Sequence, residues 1–500
     1  MTLLSRVLGL VRDVLIAQLL GAGTSADAFF VAFKVPNFLR RLFAEGAFSQ
    51  AFVPVLSEYK VQGKLEVRRL LRPVMGALGA ITILISILAM FFSPYLVWVV
   101  APGFASDPEK IALTAQMMRL TFPYLFFVSV MACASGVLNT YRIFAPSAFA
   151  PVILNLCMIL ALLVVSPLLD VKAMALAWSV ALAGLLQLLL HLGFLARIQL
   201  LVWPSWQWRH PGVKKILVLM TPAIFGVSVS QINLLLDTVL ASFLAEGSVS
   251  WLYYADRLIE LPLGVFGIAI ATVILPHLAS QHVDLSTKGF QMTLDWAVRW
   301  VVALGIPAAC AMMVLAEPIL VSLFYYGAFA LEDVAQSVAA LQAYSLALLP
   351  FMMIKVLATG YFSRQDTKTP VKIGIIAMVV NMVANLSLIS TFAHVGLALA
   401  TAVSAGLNGY LLYRGLAKAG VYQFSPATFA FIGKIIIGSV VMVGVLLWFD
   451  VDLLTWAGWS FTMRISMLSG LILLGVTSFA ATLALLGLRL HHFKEPPSAC

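Results

Sequence analysis

Within residues 24–57, TSADAFFVAFKVPNFLRRLFAEGAFSQAFVPVLS, five side chains can carry charge in an otherwise apolar helix-like run: Asp27, Lys34, Arg40, Arg41 and Glu45. A charged residue at the centre of a bilayer helix costs about 2.5–3.5 kcal/mol on insertion scales, so three cations facing lipid would cost roughly 10 kcal/mol. Asp27, Lys34 and Arg41 are spaced by seven and share one helical stripe. Arg40 lies about 100° round from it. Snorkelling at a helix end suits Arg41. It suits Lys34 and Arg40 less, because apolar sequence runs on for several turns to either side. The charged side is therefore expected to line a wet cavity inside the protein.

A second run has the same character. In SVSWLYYADRLIELPLGVFGIAI, starting at Ser248, Asp256 and Glu260 share a face, and Arg257 reaches Glu260 at i,i+3. Arg6, Arg12 and Asp13 precede the first charged run, and the seven-residue spacing of Arg6 and Asp13 allows Asp13 to neutralise Arg6. The resulting inventory is Arg6, Arg12, Lys34, Arg40, Arg41 and Arg257 against Asp13, Asp27, Asp256 and Glu260. An excess of cations, mostly arginine, asks for an anionic cargo, because the guanidinium fork matches phosphate oxygens and keeps its charge. A proton-coupled drug exporter would centre on Asp and Glu instead. Salt bridges holding helices together would explain Arg257–Glu260, but not the surplus of cations. Asp237, with Asn381 and Asn385 spaced i,i+4, forms an oxygen-rich set that suits either a monovalent cation such as Na⁺ or a hydrogen-bonded polar cluster.

These residues sit in a chain of 500 residues, 62% hydrophobic and 10% charged, with mean hydropathy +1.02. Apolar runs of twenty or more residues recur throughout, which indicates an all-α polytopic membrane protein; the period-2 pattern of a β-barrel is absent. Cys133, Cys157, Cys310 and Cys500 have no framework spacing, and neither a disulfide nor a metal site is expected. There is no Walker A loop, HExxH or GxSxG. No cofactor, no nucleic-acid partner and no enzymatic activity are expected, and ATP-driven pumping has no support in this chain. A membrane glycosyltransferase would need a carboxylate in a sizeable external loop, and the richest such loop offers Asp107 and Glu109 alone.

About fourteen spans are expected, near 2–22, 25–56, 74–101, 112–138, 147–166, 172–196, 215–244, 249–279, 293–324, 334–362, 370–392, 395–417, 428–449 and 463–488. The connecting segments alternate in charge: one set, from Lys60 to Lys494, holds eighteen Lys and Arg, and the other only Lys110, Lys172 and Arg464. The positive-inside rule puts the rich set, and with it both termini, in the cytoplasm. The first span is short and charged and does not read as a signal peptide.

The halves also echo one another. A shift of 222 residues lays FVPVL (52–56) on ILPHL (274–278) and Arg142 on Arg364; a shift of 224 lays Asp13 on Asp237 and Gly23 on Gly247. Six spans per repeat preserve orientation, so two six-helix lobes related by a pseudo-twofold along the membrane normal are expected. The expected organisation is an N-lobe over 1–196, a cytoplasmic interfacial linker over 197–214 marked by Trp203, Trp206 and Trp208, a C-lobe over 215–418, and a C-terminal hairpin with its tail over 419–500. The prolines Pro36 and Pro262 beside the charges are candidate hinges.

Several segments carry a family resemblance: Ser5–Asp13 (SRVLGLVRD), Asp27–Lys34 (DAFFVAFK), Pro36-Asn37 through Arg40-Arg41, Phe43–Pro54 (FAEGAFSQAFVP), Gly247–Arg257 (GSVSWLYYADR) with Glu260, and Ser363–Pro370 (SRQDTKTP). Together they resemble the MurJ (MviN) family of the multidrug/oligosaccharidyl-lipid/polysaccharide exporter superfamily. The resemblance spans essentially the whole chain and is most specific in the first sixty residues. It implies a lipid II flippase in the bacterial inner membrane, moving undecaprenyl-pyrophosphate-linked disaccharide-pentapeptide to the periplasmic leaflet by alternating access. It also implies that Arg6, Arg12, Asp27, Arg40, Arg257 and Glu260 serve a central cavity and that the last hairpin holds the lipid tail. Family members usually carry further residues before the SRVLG motif, which leaves the completeness of the first helix open. The rival readings are an exporter of another polyprenyl-linked oligosaccharide, a cation-coupled drug exporter, and, further off, the glycosyltransferase.

Overall fold

The computed structural model describes residues 2–283, 287–449 and 451–488. Arg489, Lys494 and the His491–His492 pair lie outside the described residues, as does the Glu45 side chain. The chain falls into two compact units, Met1–Ser250 and Trp251–Cys500.

The first unit holds α1 (Thr2–Leu20), α2 (Thr24–Arg40), α3 (Ala47–Gln62), α4 (Lys64–Phe91), α5 (Ser93–Val100), α6 (Pro108–Thr121), α7 (Pro123–Thr140), α8 (Ala145–Leu160), α9 (Met174–Arg197) and α10 (Pro211–Ala241). A further helix, α11 (Ser248–Pro262), leads into the second. There follow α12 (Ile268–Val283), α13 (Thr287–Val314), α14 (Ala316–Phe324), α15 (Leu331–Phe362), α16 (Lys368–Lys418), α17 (Pro426–Trp448), α18 (Leu453–Gly458) and α19 (Phe461–Leu485). No strand occurs among the described residues, as an apolar chain with helical spans requires: in hydrocarbon each backbone polar group must be satisfied within its own segment.

Ten helical stretches among the described residues are long and apolar enough to cross a bilayer. One of them, α16, is two helices in space. Ala393 breaks it with φ 48°, and Asn381 reaches Ser404, 23 residues on, at 3.4 Å. Continuous helix would put those residues about 35 Å apart, so the chain folds back here. The fold-back needs Gly396, where a Cβ would stand 2.6 Å from the Leu388 carbonyl oxygen. The charge-bearing α1 and α2–α3 are not among the ten.

Helix starts follow local chemistry. Asp107 caps α6 by accepting from the Glu109 and Lys110 amides, each at 3.0 Å, with Pro108 as first helical residue. Ser425 and Pro426 do the same for α17. The core of the first unit is where α7 packs on α9, α3 and α4; in the second, α15 packs on α13 and α16, and α17 on α13 and α19.

Candidate functional site

Asp27, on the first turn of α2, is 1% exposed. Its carboxylate accepts from Lys110 Nζ at 3.1 Å, the Gly247 amide at 2.9 Å, the Ser250 amide at 3.0 Å and the Ser250 hydroxyl at 2.6 Å. Gly247 presents its amide from φ 92°, a left-handed conformation that favours glycine. Beside it Glu246 accepts from the amide and hydroxyl of Thr24, both at 2.5 Å. Asp27 therefore ties the start of α2 to the start of α6 and to the turn before α11. Lys110, read from sequence as a loop cation, is buried at 6% exposure and lies 4.3 Å from the Phe104 ring centroid.

Further along α2, Lys34, Arg40 and Arg41 are half-buried. Nε and Nη2 of Arg40 donate to Asn37 Oδ1 at 3.0 and 2.8 Å, which sets the guanidinium's direction. Straight after Arg40 the helix widens into a π turn, Arg41–Gly46. The second charged helix repeats the arrangement. Arg257 Nη1 meets Glu260 Oε2 at 2.5 Å, the guanidinium lies over the Tyr253 ring, and Asp256 is half-buried beside them. A π turn follows at Leu263–Gly267. The 222-residue shift that aligns FVPVL with ILPHL carries Arg41 onto Leu263, so the two π turns begin at equivalent positions. Wide turns are rare, inserting one residue and rotating the face that follows, and they concentrate at functional sites.

In α1, Arg6 is half-buried and Arg12 is 9% exposed. Arg12 pairs with Asp13, through Nε at 2.9 Å and Nη2 at 2.7 Å, and donates from Nη1 to Asn155 Oδ1 at 2.9 Å. Asn155 in turn donates to the Ser5 carbonyl. Asp13 thus pairs with its own neighbour Arg12. In the second unit Asn381 and Asn385 are fully buried, and Asn385 Nδ2 donates to Asn381 Oδ1 at 2.9 Å. Asp237 is half-buried in α10. Among the described residues no three His, Cys, Asp or Glu gather to hold a metal ion.

Sequence reasoning missed Lys110, Asn37, Asn155 and Ser250. For Asn37 a signal was present, since it stands three residues before Arg40. The other three act across more than eighty residues of chain, beyond any helical periodicity.

The family profile described as "Lipid II flippase MurJ" matches residues 16–467. A "Probable lipid II flippase MurJ" from Haemophilus influenzae is 52% identical over 98% of this chain and 99% of its own length. A "Lipid II flippase MurJ" from Burkholderia cenocepacia is 40% identical over 99% and 97%. Among solved structures, a "Lipid II flippase MurJ, inward closed conformation" superposes with TM-score 0.81 at 25% identity, covering 97% of each chain. An inward-facing MATE family multidrug transporter superposes with TM-score 0.71 at 13% identity and shares the fold.

Proposed function

The chain belongs to the lipid II flippase MurJ family, and we propose on that premise that it moves lipid II from the cytoplasmic to the periplasmic leaflet of the bacterial inner membrane. The observation that carries the reading is the paired arrangement of charge and wide turn: Arg40 and Arg41 at the π turn of the first unit, Arg257 and Glu260 just before that of the second. Lys34, Arg40 and Arg257 grip the pyrophosphate by charge-assisted hydrogen bonds, and Arg6 and Arg12 border the same path. Asp256 and Glu260 hold the Arg257 guanidinium in place. Asp27 acts through structure, fixing the turn before α11. The bound head is exposed to one side of the membrane and then the other, while the polyprenyl tail stays in lipid along the last hairpin. Both termini face the cytoplasm. The chain works as a carrier and performs no covalent chemistry on its cargo.

The membrane potential can drive the step, because one charge crossing it is worth about 2.3 kcal/mol per 100 mV. Coupling to a monovalent cation through Asp237, Asn381 and Asn385 is the second reading, favoured by the fully buried asparagine pair. Dependence of flipping on Na⁺, abolished by Asp237→Ala, supports it; flipping that ignores Na⁺ removes it.

The test is lipid II exposure at the outer leaflet of cells depleted of their own flippase. The intact chain should restore exposure, and Arg40→Ala, at equal membrane abundance, should not. Equal activity of Arg40→Ala would make that side chain structural.

A further inference from the structure

One membrane-embedded cation is absorbed by none of this. Arg119 lies on α6, and with Ile87, Met90 and Phe91 of α4 it lines a cleft of about 450 Å³. Its Nε donates at 2.9 Å to the hydroxyl of Ser93, a fully buried residue. Its two terminal nitrogens make no hydrogen bond or ion pair among the described residues, and the side chain is exposed. The cleft's other walls are open and apolar: Phe91 is 76% exposed and Ile87 57%.

Depth makes this arrangement unusual. Arg119 is the twelfth residue of the apolar stretch Pro108–Thr140. At 1.5 Å per residue that stretch is about 50 Å long, against a hydrocarbon layer of about 30 Å. Centred in a bilayer, it places the Arg119 backbone about 7 Å inside the hydrocarbon edge. The exposed Tyr95 and Trp98 of α5 mark the headgroup level just beyond. A guanidinium at this depth is costly unless an anion meets it. Its fork is held at the base by Ser93, which limits its reach to water and aims the free nitrogens at the cleft. The anion abundant at this level of a bilayer is the phosphodiester of a phospholipid, which accepts two parallel N–H bonds from arginine.

We propose that this cleft is a phospholipid site, in which Arg119 holds the phosphodiester and an acyl chain lies along Ile87, Met90 and Phe91. The site stands on α4 and α6 and does not depend on what the cations of α2 and α11 carry.

The test uses the purified full chain in detergent, titrated with phosphatidylglycerol, with lipid adducts counted by native mass spectrometry. Dioleoylglycerol, which lacks the phosphate, is the control. The intact chain should take one phosphatidylglycerol more tightly than any dioleoylglycerol. Arg119→Gln should weaken that adduct about tenfold, the scale of one hydrogen bond to a charged group. Ile87→Trp, which fills the cleft and leaves Arg119 in place, should expel the lipid without a change in thermal unfolding, and it decides the matter if Arg119→Gln does not fold. Equal binding of dioleoylglycerol, or adducts unchanged in either folded variant, would overturn the proposal. So would displacement of the adduct by undecaprenyl pyrophosphate at equimolar amounts, which would make the cleft part of the cargo path.

Discussion

Asp27 has the position of a cargo-facing charge and the contacts of a structural one. Four donors converge on its carboxylate, one of them a buried ammonium. Asp27→Asn leaves Lys110 charged and buried without its counterion, a change that costs about 3–5 kcal/mol. It should appear as a lower unfolding temperature in detergent, largely restored in the Asp27→Asn/Lys110→Met double variant. A restored double variant that also flips cargo would confine Asp27 to structure; one that stays inactive would give it a second task. The neighbouring Glu246, in the turn outside the spans, is held below its ordinary carboxyl value of 4.5 first by the Thr24 hydroxyl. The folded form then binds fewer protons than the unfolded one. The stabilisation is full above pH 4.5 and is lost as pH falls below it through the folded value. Glu246→Gln should flatten the fall in unfolding temperature on acidification in that window; an unchanged acid limb would show the Thr24 contact to be energetically empty.

Elements are joined by close backbone approach as much as by side chains. The segment after α9 runs over α4, where the Ser205 amide donates to the Arg72 carbonyl at 2.9 Å. A Cβ on Gly76 would stand 2.1 Å from the Ser205 carbonyl oxygen. Gly76→Ala should therefore lift this segment, whose Trp203 and Trp206 are already exposed. Trypsin applied to the cytoplasmic face of inverted vesicles should then cut at Arg209 and Lys214 faster than in the intact chain. Unchanged cleavage would mean that α4 gives way instead. At the far end of the chain Arg464 pins the last helix. It donates to the carbonyls of Trp459, Val321, Tyr325 and Ala457 and stacks near Tyr325 and Tyr326. This cation from the charge-poor set of loops is spent on holding α19 against α14 and α18.

For the whole molecule, the charge alternation of eighteen cations against three sets the expected orientation. Alkaline phosphatase fused after residue 488 should be inactive, and the same enzyme inserted in the Pro102–Ser106 turn should be active. The reverse pattern would invert the transport direction assigned above.

The helical membrane class was legible from the amino-acid order because it depends on quantities local in sequence: run length, hydropathy and the spacing of charge. The i,i+3 pair Arg257–Glu260 belongs to that local kind, and it reappears in three dimensions. The fold-back at Ala393 was legible as the break between the spans expected at 370–392 and 395–417. The link from Arg12 to Asn155 and the capture of Asp27 by Lys110 were not. Each is settled by packing between segments far apart in the chain, where the lowest-energy pairing depends on which donor burial brings within reach. Periodicity assigns a charge to a face of a helix; the neighbouring helix decides which partner that charge meets.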